Sequence, residues 1–182
     1  MARSLAAAST LLLPVVLLLA TAAKGAAASD STTSPASTPE AAALLDLSAA
    51  LGDPSGYLSA HWTPDTALCT WPRLSCDAEG SRVVSLDLSG LNLSGPIPAA
   101  ALSSLSRLQS LNLSNNILNS TFPEGLIGTL KNLRVLDFYN NNLTGPLPAA
   151  LPNLTNLVHL HLGGNFFSGS IPKSYGQWSR IK

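Results

Sequence analysis

The chain has 182 residues, with 10 basic and 10 acidic side chains and a formal net charge of zero. Only 11% of residues are charged, and no basic patch, basic helix or aromatic platform is present, which excludes a nucleic-acid binder. The hydrophobic content of 46% is inflated by alanine near the N-terminus.

Residues 1–28 read as a secretory signal peptide. Arg3 gives a positive start, Leu5 to Ala20 is largely apolar and interrupted by Pro14, and Thr21-Ala22-Ala23 and Ala26-Ala27-Ala28 are small-residue cleavage sequences. The run is short for a bilayer span, which takes about 20 apolar residues, and no later stretch is apolar enough to make a span. The expected location is therefore the secretory pathway and the extracellular space. Residues 29–37, rich in Ser, Thr and Pro, read as a disordered linker.

Residues 38–80 read as a cap. Thr38 is placed as a helix N-cap, Pro39 at the first helical position and Glu40 as an acid in the first turn. Leu44, Leu47 and Leu51 share one helical face, and Gly52 is expected to end the helix. The two cysteines, Cys69 and Cys76 in CTWPRLSC, are expected to form a disulfide, since the chain reads as secreted. A redox or metal role is disfavoured because the spacing is not CxxC and no second ligand pair exists. Trp62 and Trp71 suit the plug that a stack of repeats needs at its end.

Residues 81–182 repeat with periods of 25, 25 and 24 residues. The four copies begin VVSLDLSGLNLSGPIP at Val83, LQSLNLSNNILNSTFP at Leu108, LRVLDFYNNNLTGPLP at Leu133 and LVHLHLGGNFFSGSIP at Leu157. Such a period means stacked units that cannot bury their apolar faces alone. Positions 1, 4 and 6 of each unit (Leu108, Leu111 and Leu113 in the second) point inward from a short strand. Position 9 is Asn116, Asn141 and Asn165 in copies two to four, predicting a ladder of amides bonded to neighbouring turns. Copy one has Leu91 there and lacks the rung. Position 13 is Gly95, Gly145 and Gly169, where a turn wants free φ, with Ser120 in copy two. Pro98, Pro123, Pro148 and Pro172 close the turns. Ile181 falls at position 1 of a fifth unit, so the expectation is a chain cut at the start of that unit, with the core of copy four lacking a covering neighbour.

Stacking the strands makes a parallel sheet on the concave side, with positions 3, 5 and 7 facing out. Those columns read Ser85, Ser110, Val135, His159; then Asp87, Asn112, Asp137, His161; then Ser89, Ser114, Tyr139, Gly163. Asp137, Tyr139, His159 and His161 are the candidate ligand-binding residues, because only there do the columns carry large or ionisable groups. The competing reading is an ordinary solvated sheet. A metal site would need all of Asp137, His159 and His161, and no metal or cofactor is expected. Five Asn-x-Ser/Thr sequons, at Asn92, Asn112, Asn119, Asn142 and Asn153, are glycan acceptors in a secreted chain. Asn112 lies mid-strand on the concave face, where a glycan would block it. No nucleophile elbow, phosphate loop or HExxH motif is present, so the chain is not expected to be an enzyme.

Helix, CxW…C cap and LxxLxLxxNxLxGxIP repeats together resemble the plant-specific leucine-rich-repeat class found in receptor-like kinase ectodomains. Within it, SRVVSLDLSGLNLSG, NLRVLDFYNNNLTGPLP and LVHLHLGGNFFSGSIPKSYGQW are most similar to the CLAVATA-type and Barely Any Meristem receptors. The resemblance covers residues 38–182. It implies an α/β repeat fold: a solenoid with short parallel strands on its concave face behind an N-terminal helical, disulfide-bridged cap. The family cap reads CxWxGVxC, whereas this chain has Arg73-Leu74 in place of Gly-Val. The resemblance also implies a function: an extracellular module of a membrane receptor perceiving a secreted peptide, with co-receptor ectodomains as partners and signal transduction by a kinase outside this chain. The alternatives are a secreted polygalacturonase inhibitor, whose family carries a C-terminal cysteine pair absent here, and a small stand-alone co-receptor or decoy.

Overall fold

The computed structural model describes residues 38–181. The signal peptide and linker expected over residues 1–37 lie outside the described residues.

Helix α1, Pro39–Ala50, starts as expected: the Thr38 side chain accepts the N–H of Ala41 at 3.2 Å. It ends one turn-residue earlier than Gly52, with Leu51 as C-cap. Its face of Leu44, Leu47 and Leu51 is buried. Helix α2, Tyr57–His61, follows, and then a 3-10 turn at Leu68–Thr70. The indole rings of Trp62 and Trp71 are buried and stacked with centroids 5.6 Å apart. Each indole N–H is satisfied, Trp62 by the Pro72 carbonyl and Trp71 by the Thr66 hydroxyl. Cys69 and Cys76 are disulfide-bonded, with Cα atoms 5.7 Å apart.

Strand β1, Leu74–Cys76, pairs antiparallel with β2, Val83–Asp87. Strand β3, Ser94–Gly95, and helix α3, Ala99–Ser103, complete the first copy. The second copy holds β4, Ser110–Asn112, β5, Ile117–Leu118, and helix α4, Gly125–Thr129. The third holds β6, Val135–Asp137, and β7, Thr144–Pro146, and the fourth β8, His159–His161, and β9, Phe166–Ser168. In these last two, 3-10 turns at Leu151–Asn153 and Lys173–Gln177 replace the helix. The main sheet runs β1-β2-β4-β6-β8 and is parallel from β2 onward. Position 4 supplies the inward leucine at its centre: Leu86, Leu111 and Leu136 are fully buried in register.

A second run of backbone pairing, not foreseen from sequence, follows position 9 of each unit. Strand β3 pairs with β5 and β7 with β9, both parallel, and Thr121 and Thr144 bridge the two pairs. It begins on the cap, where Gly52 and Ser94 exchange N–H···O bonds of 3.0 and 2.9 Å.

The cap also completes the first repeat. In copies two to four the N–H of position 1 (Leu108, Leu133, Leu157) donates to the carbonyl of the preceding turn (Leu105, Leu130, Leu154). Copy one has no preceding repeat. There the Glu40 carboxylate accepts the Val83 N–H at 2.8 Å and the Arg82 Nε at 2.8 Å. Glu40 is buried, so this first-turn acid acts as a substitute carbonyl rather than only a helix-dipole partner.

A candidate recognition surface on the main sheet

The amide ladder forms as the repeat predicts. Asn116 donates through Nδ2 to the carbonyls of Leu88, Leu113 and Ser114, and its Oδ1 accepts the N–H groups of Leu91 and Leu93. Asn141 repeats this one copy on, donating to Leu113, Phe138 and Tyr139 and accepting from Leu118. Asn165 donates to Phe138, Leu162 and Gly163 and accepts from Leu143. Each amide thus ties its own turn to that of the previous copy, and the stack holds the strands in register.

Position 5 carries a local bond that fixes how the outward columns are presented. Asp87, Asn112 and Asp137 each accept, through Oδ1, the N–H two residues on, from Ser89, Ser114 and Tyr139 at 3.0, 2.9 and 2.9 Å. This is the Asx-turn bond, which orders the end of each strand. Position 8, which follows, has φ of +67°, +56°, +54° and +69° at Gly90, Asn115, Asn140 and Gly164. Gly and Asn are the residues that tolerate this region. The sequence carries the signal for this turn as Gly, Asn, Asn, Gly at position 8.

The structure brings the four candidate residues onto one face of adjacent strands. Register pairs Val135 with His159 and Asp137 with His161. With its Oδ1 held in the turn, Asp137 presents Oδ2 to His161 Nδ1 at 3.3 Å. Both imidazoles are exposed, and so is Tyr139 at 50%. The Tyr139 ring lies against Gly163, where an added Cβ would already sit at 3.7 Å from the ring. Position 7 in copy four is thus free of any side chain that would cover the phenol. The equivalent Ser114 in copy two is buried. Among the described residues no group of three or more His, Cys, Asp or Glu could hold a metal ion.

Arg73 has φ of +72°, so the position where the family places glycine keeps the left-handed turn with an L-residue in it. Its guanidinium stands 5.6 Å over the Tyr57 ring and reaches the Ser89 carbonyl at 3.4 Å.

Residues 37–77 match the family described as leucine rich repeat N-terminal domain, and residues 106–167 the leucine rich repeat family. The BIR2 ectodomain of Arabidopsis thaliana superposes with a TM-score of 0.74 at 34% identity, over 78% of this chain and 76% of that one. The chain belongs to the plant leucine-rich-repeat receptor ectodomains. The Arabidopsis receptor kinase HAESA, solved in complex with the peptide hormone IDA and the co-receptor SERK1, is similar at 33% identity and a TM-score of 0.61. That match covers 80% of this chain and 28% of the HAESA chain. Receptor-like protein kinase 5 of Arabidopsis thaliana is 40% identical over 150 residues, 79% of this chain and 14% of that kinase. The chain therefore spans only a small part of the kinase it matches, and what it shares with these relatives is the cap and the repeats. Among the described residues no helix is long and apolar enough to cross a membrane.

Proposed function

We propose that this chain is an extracellular ligand-recognition module, the N-terminal part of a plant receptor-like kinase that perceives a secreted peptide. The contact made by this segment centres on Asp137, Tyr139, His159 and His161. One observation carries the reading: a half-exposed phenol, a carboxylate–imidazole pair at 3.3 Å and a second imidazole share one sheet face whose other outward positions are mostly small or aliphatic. Aromatic side chains supply large contact area at little entropic cost, and such anchors dominate recognition. A peptide backbone offers the donors and acceptors that Asp137 and the histidines would meet. The similarity to HAESA supports a peptide ligand and a co-receptor ectodomain as partners, and the proposed location is the plasma-membrane surface facing the cell wall. The chain supplies binding, and catalysis belongs to a kinase domain outside it.

The similarity to the BIR2 ectodomain, of which the chain matches 76%, favours a second reading. In it the module acts as a small co-receptor or decoy that binds another receptor's ectodomain.

Titration calorimetry of the secreted chain against a panel of synthetic secreted plant peptides tests the first reading, and titration against purified receptor ectodomains tests the second. For a peptide that binds, Tyr139→Ala is expected to weaken affinity about tenfold, against little change for Ser85→Ala and Ser110→Ala. Equal and negligible losses at all six positions, the four candidates and the two serines, would show that these repeats are scaffold alone.

A further inference from the structure

Among the described residues, the non-glycine residues at positive φ are Arg73, Asn92, Asn115 and Asn140. Asn is a type that tolerates the left-handed region; Arg is not. A strained backbone of this kind persists where its surroundings hold it, and ligand clamps are a common setting. At Arg73 it carries an aimed guanidinium.

Arg73 immediately precedes β1, and its carbonyl accepts the Asp87 N–H at 2.8 Å. It therefore stands at the cap end of the outward row Asp87, Asn112, Asp137, His161. Its side chain runs toward position 7, where Nη1 donates to the Ser89 carbonyl at 3.4 Å. The guanidinium lies 5.6 Å over the Tyr57 ring, and that ring is stacked on His61 with centroids 4.4 Å apart. His61 is fixed in turn, since its Nδ1 donates to the Tyr57 carbonyl at 2.8 Å.

Stacking holds the planar group in place without using its N–H donors. One long bond to Ser89 leaves most of those donors free. Among the described residues Arg73 has no ion-pair partner, whereas Arg82 is committed to Glu40 at 2.8 Å. Arg107 and Arg134 are also exposed, but neither stands over an aromatic ring. Ser89 and Tyr139 hold position 7 in copies one and three, two strand spacings or roughly 10 Å apart. Between them Ser114 is small and buried. The position 7 row is thus a trough, with Arg73 on Tyr57 at one end and the Tyr139 phenol at the other.

We propose that Arg73, stacked on Tyr57, is a carboxylate-binding site at the cap end of this trough. It takes an acidic side chain or the terminal carboxylate of a peptide whose neighbouring residues lie over Ser89 and Ser114 toward Tyr139. The inference rests on the peptide reading above and deepens it by stating the charge that the ligand carries there. A carboxylate matches the guanidinium fork bidentately, and a guanidinium already held by a ring loses little freedom on binding. Asp87 stands next in the row with Oδ1 held by the Ser89 N–H. Its charge disfavours a second acidic group beside the first, so the site fits one carboxylate and not an acidic run.

The secreted chain, carrying isotope-labelled arginine, is titrated with three acetylated octapeptides of Gly and Ser. One is amidated with a single central Glu, one ends in a free carboxylate, and one is amidated and neutral. The Nε–H resonances of Arg73, Arg107 and Arg134 are followed by nuclear magnetic resonance. A saturable shift at Arg73 is expected with an acidic peptide, at a half-saturation about fivefold below that of Arg107 and Arg134, and none with the neutral one. Which acidic peptide acts identifies the source of the carboxylate. Equal weak shifts at all three arginines, or none at Arg73, overturn the inference. Tyr57→Leu should reduce the Arg73 response to that of the other two; an unchanged response overturns the role of the ring. In uniformly labelled chain, Arg73→Gly should abolish the peptide-induced shifts of the Ser89 and Ser114 amides without lowering the urea midpoint. Shifts that persist overturn the assignment to Arg73. The Tyr139 centre is tested separately by its own variant. Loss of panel-peptide affinity in Tyr139→Ala with a silent Arg73 keeps the peptide reading and removes this site. An Arg73 response with no loss at Tyr139 keeps the carboxylate site and removes that centre.

Discussion

Copies two and four have nearly the same inward residues and very different burial. At position 4 Leu111 is fully buried, whereas Leu160 is half-buried; at position 15 Phe122 is 4% exposed and Ile171 72%. The amides follow suit, with Asn116 buried and Asn165 half-buried. Copy two is flanked by β2 and β6, whereas β8 has a neighbour among the described strands on one side only. Burial here is conferred by the adjacent copy, as expected of a quasi-one-dimensional stack. The first copy escapes the same fate because the cap covers it. Glu40 stands in for the missing carbonyl, Gly52 for the missing strand, and Trp62, Trp71 and the leucines of α1 for the missing apolar face.

The largest expected effect is in the core. Leu111→Ala should destabilise the secreted chain by about 2–5 kcal/mol in urea unfolding, and Leu160→Ala by less than half as much. Equal losses would break the comparison, since they would make burial a property of the unit and not of its neighbour.

The ladder should show the same gradient at smaller scale. Asn116→Ala leaves the buried Leu93 N–H and two or more carbonyls without their partner, at a cost of about 2–3 kcal/mol. Asn165→Ala, with its groups closer to water, should cost under half of that in the same assay.

Arg73→Gly tests the cap turn. Removing a left-handed L-residue gains roughly 1 kcal/mol, and losing an exposed cation–π contact gives back about 0.5 kcal/mol. A net stabilisation below 1 kcal/mol is expected, readable as a small rise in the urea midpoint. A clear loss would mean that the guanidinium contacts outweigh the backbone strain.

The cap should also be the first region to yield to acid. Burial works to raise the Asp53 pKa, yet hydrogen bonds from the Ser55 hydroxyl and the Leu58, Tyr57 and Ser55 backbone bring it below its usual 3.8. Backbone bonds from Ser81 and Arg82 lower Asp77 likewise. A carboxyl with a depressed folded pKa adds stability above its unfolded value, and that contribution is lost as the pH falls through the folded one. Amide-exchange protection factors, which correct for the slower intrinsic exchange in acid, should therefore fall first around residues 53–61 and 77–82 between neutral pH and about pH 3. Asp53→Asn should remove most of the pH dependence in the first segment; an unchanged profile would locate the acid response elsewhere.

The repeat pattern was sufficient to read the stack, the inward leucines, the amide ladder, the disulfide and the helix start at Thr38, because each depends on residues close in sequence or on a fixed period. The same period placed Asp137, Tyr139, His159 and His161 on one face, since register follows from stacking. The Asp137–His161 pair itself needed coordinates, because it depends on which carboxylate oxygen the Asx turn leaves free.

What the tertiary structure alone decided lies where one copy, or the cap, meets the next. Glu40 carries no local mark of reaching Val83, 43 residues away. Gly52 gives no sign of pairing with Ser94, and no single unit shows that the copies will pair along a second flank. Those outcomes arise from backbone groups left unsatisfied at the edge of each unit, and only the neighbouring unit determines what satisfies them.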